Sequence, residues 1–292
     1  MEDKLAAIFS GGGMKCAFGA GFMYGLVKKY SEIVFDTIIG ASGSVPTAIF
    51  ATSNQSRLPC ISWKKDLSTK LMINKLSVHI DYLVDEILKN SKFDFDAFYS
   101  SKTECLIPAI NTKTGEVKYF SNRDEFFLKN PEQIYEAVRA SASIPIFTGL
   151  HPAVEINGET YCDCINTSSY RMNVETAVEK GANKILIIDH DPQINRFIDR
   201  EQLFFDSWLG WQNDIFKINY NKLEEKINSY VPPKDVRILK IDLPSWSSAS
   251  TLDNDKKILR ETVNDGFRMA TFNRKLFHFF YGNYTGYELS YQ

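Results

Sequence analysis

Two short apolar runs near the N-terminus each end in a turn of small residues, and a helical pattern follows each turn. The first run, residues 5–9, stops at three consecutive glycines, after which apolar residues recur at helical spacing as far as Tyr30. The second run, residues 34–39, ends at Gly40 and is followed by a helical pattern over 45–52. Strands that alternate with helices form parallel sheets with right-handed connections. The sequence therefore predicts an α/β fold of three layers, α/β/α, around a mostly parallel central sheet.

The rest of the chain continues this alternation. Turn signals between apolar runs predict two antiparallel hairpins, one over 105–120 and one around Asn157-Gly158. The sequence also predicts strands at 184–189 and 236–243, and helices within 60–100, 131–139, 174–180 and 254–280. The 292 residues fit one large domain, and no linker or change in composition divides them. We therefore predict a single domain over 1–292, with the helical stretch 191–235 as a candidate subdomain.

Composition narrows the classes of function. The net charge of −2 and the pI of about 6.1 exclude a basic field that would hold a nucleic acid. No apolar run approaches the roughly 18 residues of a transmembrane helix, and the acidic N-terminus does not suit a secretory signal. We therefore expect a cytoplasmic protein whose contact with membranes is at most peripheral. The five cysteines and four histidines show no convincing zinc-ligand spacing, so reduced thiols and no metal or cofactor are expected.

The turn after the second strand has the form of a nucleophile elbow, in which a serine sits on a tight strand-to-helix turn. Its residues are Gly40, Ala41, Ser42, Gly43 and Ser44. The usual pattern, G-x-S-x-G, has glycine where this chain has Ser44, and serine fits there if its φ is negative. Ser44 itself would need glycine at position 42 to be the nucleophile, so Ser42 is preferred. The alternative is a small-residue turn that carries no chemistry.

The glycine turn at the end of the first strand presents backbone N–H groups to an anionic oxygen. Its glycines are Gly11, Gly12 and Gly13, and Lys15 follows them. One interpretation is an oxyanion hole, since both turns would lie at the carboxyl edge of a parallel sheet. The other is a phosphate cradle, but Cys16 breaks both the G-x-G-x-x-G and the P-loop patterns. Lys15 is interpreted either as support for the loop or an anionic head group, or as a solvated lysine.

A serine nucleophile needs a base within hydrogen-bonding reach. The histidine candidates are His79, His151, His190 and His278. Of these, His190 is the best, since it follows a buried strand. An aspartate would also serve if burial made it more basic than its usual pKa of about 3.9. Physical chemistry alone does not choose among Asp163, Asp189 and His190.

Four blocks in order resemble the patatin-like phospholipase family. They are the glycine turn with Lys15, the elbow at Ser42, the stretch 139–147, and Asp163 in the place of the family's Asp-Gly-Gly or Asp-Gly-Ala motif. The hairpin over 105–120 is also similar, and the resemblance covers about residues 5–190, closest to the small single-domain bacterial branch.

The resemblance implies a Ser–Asp dyad without histidine. Ser42 would attack an ester carbonyl, Asp163 would act as general base, and the amides of the glycine turn would hold the oxyanion. The expected protein is a phospholipase A or lipid acyl esterase that acts on lipid or ester substrates.

The chain departs from the family pattern at four positions. Cys16 replaces a usual glycine, Lys15 replaces the commoner arginine, Ser44 replaces a glycine, and Cys164 follows the aspartate where the family has glycine. These changes motivate a second hypothesis, a catalytically weakened or inactive lipid-binding or regulatory relative. A nucleotide-binding α/β protein is the third.

An aromatic stretch within 203–216 has two interpretations. Its apolar members are Phe204, Phe205, Trp208, Leu209, Trp211, Ile215 and Phe216. A helix with this face would either pack on the domain or dip into lipid. Packing is preferred, because Asp206 and the few nearby lysines do not favour an anionic membrane.

Overall fold

A mostly parallel sheet runs through the centre of the protein. The computed structural model describes residues 3–67, 73–74, 77–149, 152–163, 169–190 and 206–282. Its strands are β1 (Leu5–Phe9), β2 (Thr37–Gly40), β3 (Ile73–Asn74), β4 (Ser77–Val78), β5 (Glu104–Asn111), β6 (Val117–Ser121), β7 (Val154–Ile156), β8 (Glu159–Cys162), β9 (Lys184–Asp189) and β10 (Arg237–Asp242). Within these residues, all strands except the separate β3–β4 hairpin belong to one sheet.

Helices connect the strands. Those described are α1 (Ala17–Lys29), α2 (Val45–Thr52), α3 (Arg57–Lys65), α4 (Phe95–Tyr99), α5 (Glu125–Lys129), α6 (Ile134–Ala142), α7 (Tyr170–Glu179), α8 (Asp214–Ser229), α9 (Lys256–Phe272) and α10 (Arg274–Tyr281). Short 3₁₀ turns over Gly13–Cys16 and Ser42–Ser44 lead into α1 and α2, and a π-helix covers Tyr82–Leu88.

The sheet has helices on both faces, because side chains alternate along each strand. In β1, Ala7 and Phe9 pack with α1, α2 and α9, whereas Ala6 and Ile8 pack on the opposite face with α7. Five strands in the order β10-β9-β1-β2-β5 pair in parallel. The predicted three-layer α/β/α architecture with a mostly parallel sheet is therefore confirmed.

Three predicted elements differ from the structure. Strand β2 begins at Thr37 rather than at 34, because the Asp36 carboxylate accepts the N–H of Leu5 at 2.8 Å and Val34 is exposed. The single helix predicted over 254–280 is two helices, since Asn273 ends α9 and its side chain caps α10 by accepting the N–H of Lys275. The stretch 60–100 includes the β3–β4 hairpin as well as helices.

Helices α1 and α9 cross at close range, and glycines make the contact. A Cβ added to Gly266 would lie inside van der Waals contact of the Phe18 carbonyl oxygen and 2.7 Å from the backbone nitrogen of Phe22. Gly21 of α1 faces the Val263 carbonyl of α9 in the same way. The contact brings the loop before α9 towards the glycine turn before α1.

Candidate active site

Ser42 lies in the strained turn that the elbow pattern predicts. Its φ is 53°, which a residue with a side chain rarely adopts. The 3₁₀ turn at Ser42–Ser44 continues directly into α2. Gly40 permits this sharp turn, because a Cβ there would lie 2.5 Å from the Cβ of Ala48 in α2. The serine is thus held between the end of β2 and the N-terminus of a helix.

Ser44 ties the elbow to the glycine turn. Its φ of −88° is negative, as the replacement of glycine requires. Its buried hydroxyl donates to the carbonyl oxygen of Ser10 at 2.8 Å. A Cβ added to Gly43 would lie 2.6 Å from the Gly13 oxygen and 3.2 Å from Cys16 Sγ. The two turns are therefore in direct contact, and Cys16 fills the space beside them.

The glycine turn leaves its amides available. Gly12 and Gly13 have φ of 151° and 56°, a path that side chains rarely follow. The next amide, that of Met14, donates to the carbonyl of Thr251 at 3.0 Å. Among the described residues, the N–H groups of 11–13 donate no hydrogen bond. This loop can therefore offer donors to an oxyanion.

The pairing of β5 brings the ends of β2 and β8 together. Strand β6 pairs with β5 over 106–110, β2 pairs over 104–106, and β8 pairs at 110–111. Because β6 occupies one side of β5 at both ends, β2 and β8 must share the other side. They point towards each other there: β2 ends at Gly40 after the pair Ile39–Leu106, and β8 ends at the pair Cys162–Ile110.

Ser42 and Asp163 enter the interval between these two strand ends. The interval spans about three residues of β5, or roughly 10 Å at the rise of a strand. The end of α6 anchors both residues: Ser42 N–H donates to Ser141 Oγ at 3.1 Å, and Asp163 N–H donates to the Ser143 carbonyl at 3.0 Å. The side chain of Asp163 is almost fully buried.

An apolar pocket opens beside Ser42. Its cavity volume is about 40 Å³. The lining includes Gly13, Met14, Ser42, Gly43, Pro46, Trp63, Leu67, Val78, Ile80, Leu83, Ala142, Ile144, Thr251 and Leu252. The sequence carried no signal for Thr251 and Leu252, which follow β10 and lie at the pocket where Met14 N–H donates to the Thr251 carbonyl.

His190 lies beneath the glycine turn. Its Nδ1–H donates to the Ser10 carbonyl at 2.8 Å, and its backbone N–H donates to Ser10 Oγ at 2.8 Å. The His190 side chain leaves no space for a side chain at two glycines: a Cβ added to Gly12 would lie 2.9 Å from the His190 Cβ, and one added to Gly19 would lie 2.6 Å from Nε2. Nε2 has no hydrogen-bond partner among the described residues. The ring therefore supports the loop from the α1 side.

The environment of His190 keeps the imidazole neutral. Burial lowers the pKa of His190 to about 4, and the nearby Lys15 also lowers it, whereas the hydrogen bond to Ser10 and the charge of Asp189 raise it. Asp189 is itself paired with Lys240 at 3.0 Å. Lys15 is half-buried and does not line the pocket beside Ser42.

The other candidates are exposed or lie outside the described residues. His79, which lies between the pocket residues Val78 and Ile80, and His278 are exposed, and His151 and Cys164 lie outside the described residues. Within the described ranges, no group of three or more histidine, cysteine, aspartate or glutamate side chains could hold a metal ion. Cys16, Cys60, Cys105 and Cys162 form no disulfide within the described residues.

The aromatic stretch is partly packed and partly exposed. Trp208 and Phe216 are buried in a small cluster with Tyr220, so packing on the domain is confirmed for this face. Trp211 and Ile215 are exposed. Phe204 and Phe205 lie outside the described residues.

The fold and the strained serine define an α/β protein with a nucleophile elbow at the carboxyl edge of its sheet. The family profile described as Patatin-like phospholipase matches residues 7–164, more than half of the chain. The chain belongs to the patatin-like phospholipase family, a family of lipid acyl hydrolases. No curated protein matches it. None of the described helices combines the length and apolar character that crossing a bilayer requires.

Proposed function

We propose that the protein is a serine acyl hydrolase of the phospholipase A or lipid esterase type, with Ser42 as nucleophile and Asp163 as general base. The observation that carries the proposal is the end-to-end placement of β2 and β8 on one side of β5. This placement supports the proposal, because Ser42 and Asp163 follow closely on these two strand ends. The family supports a lipid substrate, and the apolar lining of the pocket beside Ser42 matches the chemistry of an acyl chain.

The reaction uses the groups around this interval. Asp163 accepts the proton of Ser42 while Oγ forms a bond to the ester carbonyl carbon, and the amides of 11–13 stabilise the oxyanion. When the carbonyl re-forms, the bond to the alcohol breaks and the alcohol takes the proton from Asp163. Water, activated by the same carboxylate, then releases the fatty acid and restores Ser42.

Ser42 Oγ makes no hydrogen bond with a described residue in this structure. Catalytic hydrogen bonds are often long in free enzymes and shorten when substrate binds. We therefore expect the Ser42–Asp163 contact to close with the substrate.

Two of the departures from the family pattern are accommodated here. Ser44 has a regular backbone and a satisfied hydroxyl, and Cys16 is buried beside Gly43. Neither blocks the Ser42 pocket, which supports an active enzyme over an inactive lipid-binding relative. The cytoplasmic location stays a prediction.

Labelling with a fluorophosphonate probe tests the nucleophile. We expect the wild type to be labelled, Ser42→Ala to lose labelling, and Ser229→Ala, an exposed serine at the end of α8, to be labelled as the wild type is. Asp163→Asn should lower ester turnover by at least about 100-fold, in the range of general-base catalysis. Absence of labelling in the folded wild type would favour the inactive relative. Turnover that survives Asp163→Asn would remove the proposed base.

A further inference from the structure

A cationic groove with an exposed tryptophan lies beside α9. Its volume is about 760 Å³. Trp246 at its edge is 72% exposed. The charged side chains of the lining are Lys256, Lys257, Arg260, Glu261, Asp265 and Arg268. Cations thus outnumber carboxylates in a protein whose net charge is −2.

The cations of this groove are available to a partner. Within the described residues, Lys256, Lys257 and Arg260 form no ion pair, and all three are exposed. The preceding loop also carries two carboxylates, which cap the start of α9: Asp253 accepts the N–H of Asp255 at 2.8 Å, and Asp255 accepts the N–H of Lys257 at 2.7 Å.

This groove adjoins the candidate active site. Strand β10 is parallel to the strands that precede the glycine turn and the elbow, so the loop after β10 emerges at the same edge of the sheet. The loop carries Trp246 outward, and five residues later Thr251 lines the Ser42 pocket. Five residues of chain span at most about 18 Å. Thr251 also accepts the N–H of Met14, next to the glycine turn.

We infer that Trp246, Lys256, Lys257 and Arg260, here called the Trp246 surface, dock the protein on an anionic lipid bilayer. Tryptophan favours the bilayer interface, and exposed lysine and arginine are attracted by anionic head groups. Docking here presents the Ser42 pocket to the membrane. The inference extends the proposed function, because it names the surface through which a lipid hydrolase would reach its substrate. It replaces the 203–216 stretch as the membrane-facing candidate.

Vesicle sedimentation tests this surface. All proteins carry Ser42→Ala, so that lipid is not consumed, and the vesicles are phosphatidylcholine alone or mixed with phosphatidylglycerol. We expect binding to the mixed vesicles, a loss on the order of ten-fold or more with Lys256→Glu/Lys257→Glu, and a several-fold loss with Trp246→Ala. Thermal unfolding of each variant checks that it is folded.

Matched variants separate this surface from general effects. Lys222→Glu/Lys234→Glu makes the same charge change at exposed lysines elsewhere, and Trp211→Ala removes the exposed tryptophan before α8. Both should bind as the parent does. Equal losses in these controls, or undiminished binding of the Trp246-surface variants, would overturn the inference. Vesicle binding without ester hydrolysis by the Ser42-containing protein would uphold the surface and refute the proposed function.

Discussion

Ser44 shows how a departure from a family pattern becomes a structural contact. The side chain occupies a position usually held by glycine, and it uses its hydroxyl to join the elbow to the turn that would bind the oxyanion. The sequence predicted that serine would fit, but not that it would bond, because the partner is a carbonyl 34 residues away. This hydrogen bond links the elbow to the glycine turn and fixes the distance between them.

Removing this hydroxyl should lower the rate more than the affinity. Ser44→Ala loses one buried hydrogen bond, which contributes about 1 kcal/mol. If that energy holds the oxyanion turn in place, kcat falls about five-fold at constant KM. Steady-state kinetics with a water-soluble ester measures the two constants. A rise in KM at unchanged kcat would show that Ser44 acts on binding instead.

His190 should make stability depend on pH. Burial depresses its folded-state pKa to about 4, below the unfolded value of about 6.5. The unfolded chain therefore binds the proton first, so stability is complete above about pH 6.5 and falls as the pH decreases towards 4. Below about pH 4, where the loss is complete, the free energy of unfolding is lower by about 3 kcal/mol than at neutral pH.

His190→Asn isolates this contribution, since the Asn amide can still donate to Ser10 but does not titrate. Urea unfolding at about pH 7 and about pH 4.5 measures how far the free energy of unfolding falls on acidification. We expect this fall to be about 2 kcal/mol smaller in the variant than in the wild type. Equal decreases would mean that His190 is accessible to protons in the folded state.

At the scale of elements, the contact between α1 and α9 depends on the absence of side chains. Gly21 and Gly266 each face a carbonyl of the opposite helix at a distance that leaves no space for a Cβ. This packing positions the loop that carries Thr251 against the glycine turn. The contact is therefore part of the route by which the site is assembled.

Gly266→Ala should destabilise the protein by about 1–3 kcal/mol or more, because the added methyl group forces the helices apart. Gly210→Ala is the matched control, since a Cβ there meets nothing within 4 Å. It should be neutral or stabilising by a few tenths of a kcal/mol. Denaturant unfolding of the two variants compares them directly. A stable Gly266→Ala protein would indicate that the helices shift without cost.

The pocket volume also leads to an expectation about substrates. A cavity of about 40 Å³ is far smaller than the roughly 300 Å³ or more of a typical ligand pocket. Long acyl chains therefore require the apolar walls to move, and short-chain esters should be turned over faster. A series of p-nitrophenyl esters of increasing chain length, run with Ser42→Ala as blank, checks this. Faster turnover of the longest chains would show that the walls open readily.

Local patterns predicted the elements that are short, apolar and bounded by turns. Strands β1 and β9 have the predicted limits, as does α2. Local patterns gave the wrong limits where a side-chain contact determines the end of an element. Asp36 does so before β2, and Asn273 does so between α9 and α10. The facing ends of β2 and β8 depend on which side of β5 each strand takes, a non-local choice that the sequence carries only through the family resemblance.

At the scale of the whole molecule, the region that matches the family does not contain a complete sheet. The match ends at residue 164, whereas β1 is paired on one side by β2 and on the other by β9. Strand β10 and helix α9 complete the sheet edge and the site. The described contacts therefore support the prediction of one domain that extends well beyond residue 164.

A chain that ends after Ala182 should fail to fold, because β1 becomes an exposed apolar edge and α1 loses α9. We expect aggregation and no cooperative thermal transition by circular dichroism. A chain ending at Gly282 retains every described element and should show a cooperative transition. A cooperative transition in the shorter chain would divide the protein into two domains.

The pairing of β1 with β9 also has a consequence during synthesis. About 180 residues separate the two strands, and a ribosome adds roughly 5–20 residues per second, so the nascent β1 waits roughly 10–40 s for its neighbour. During that interval an apolar strand edge is uncovered in the cell. Translation rate and chaperone supply, rather than final stability, should therefore determine the yield of native protein.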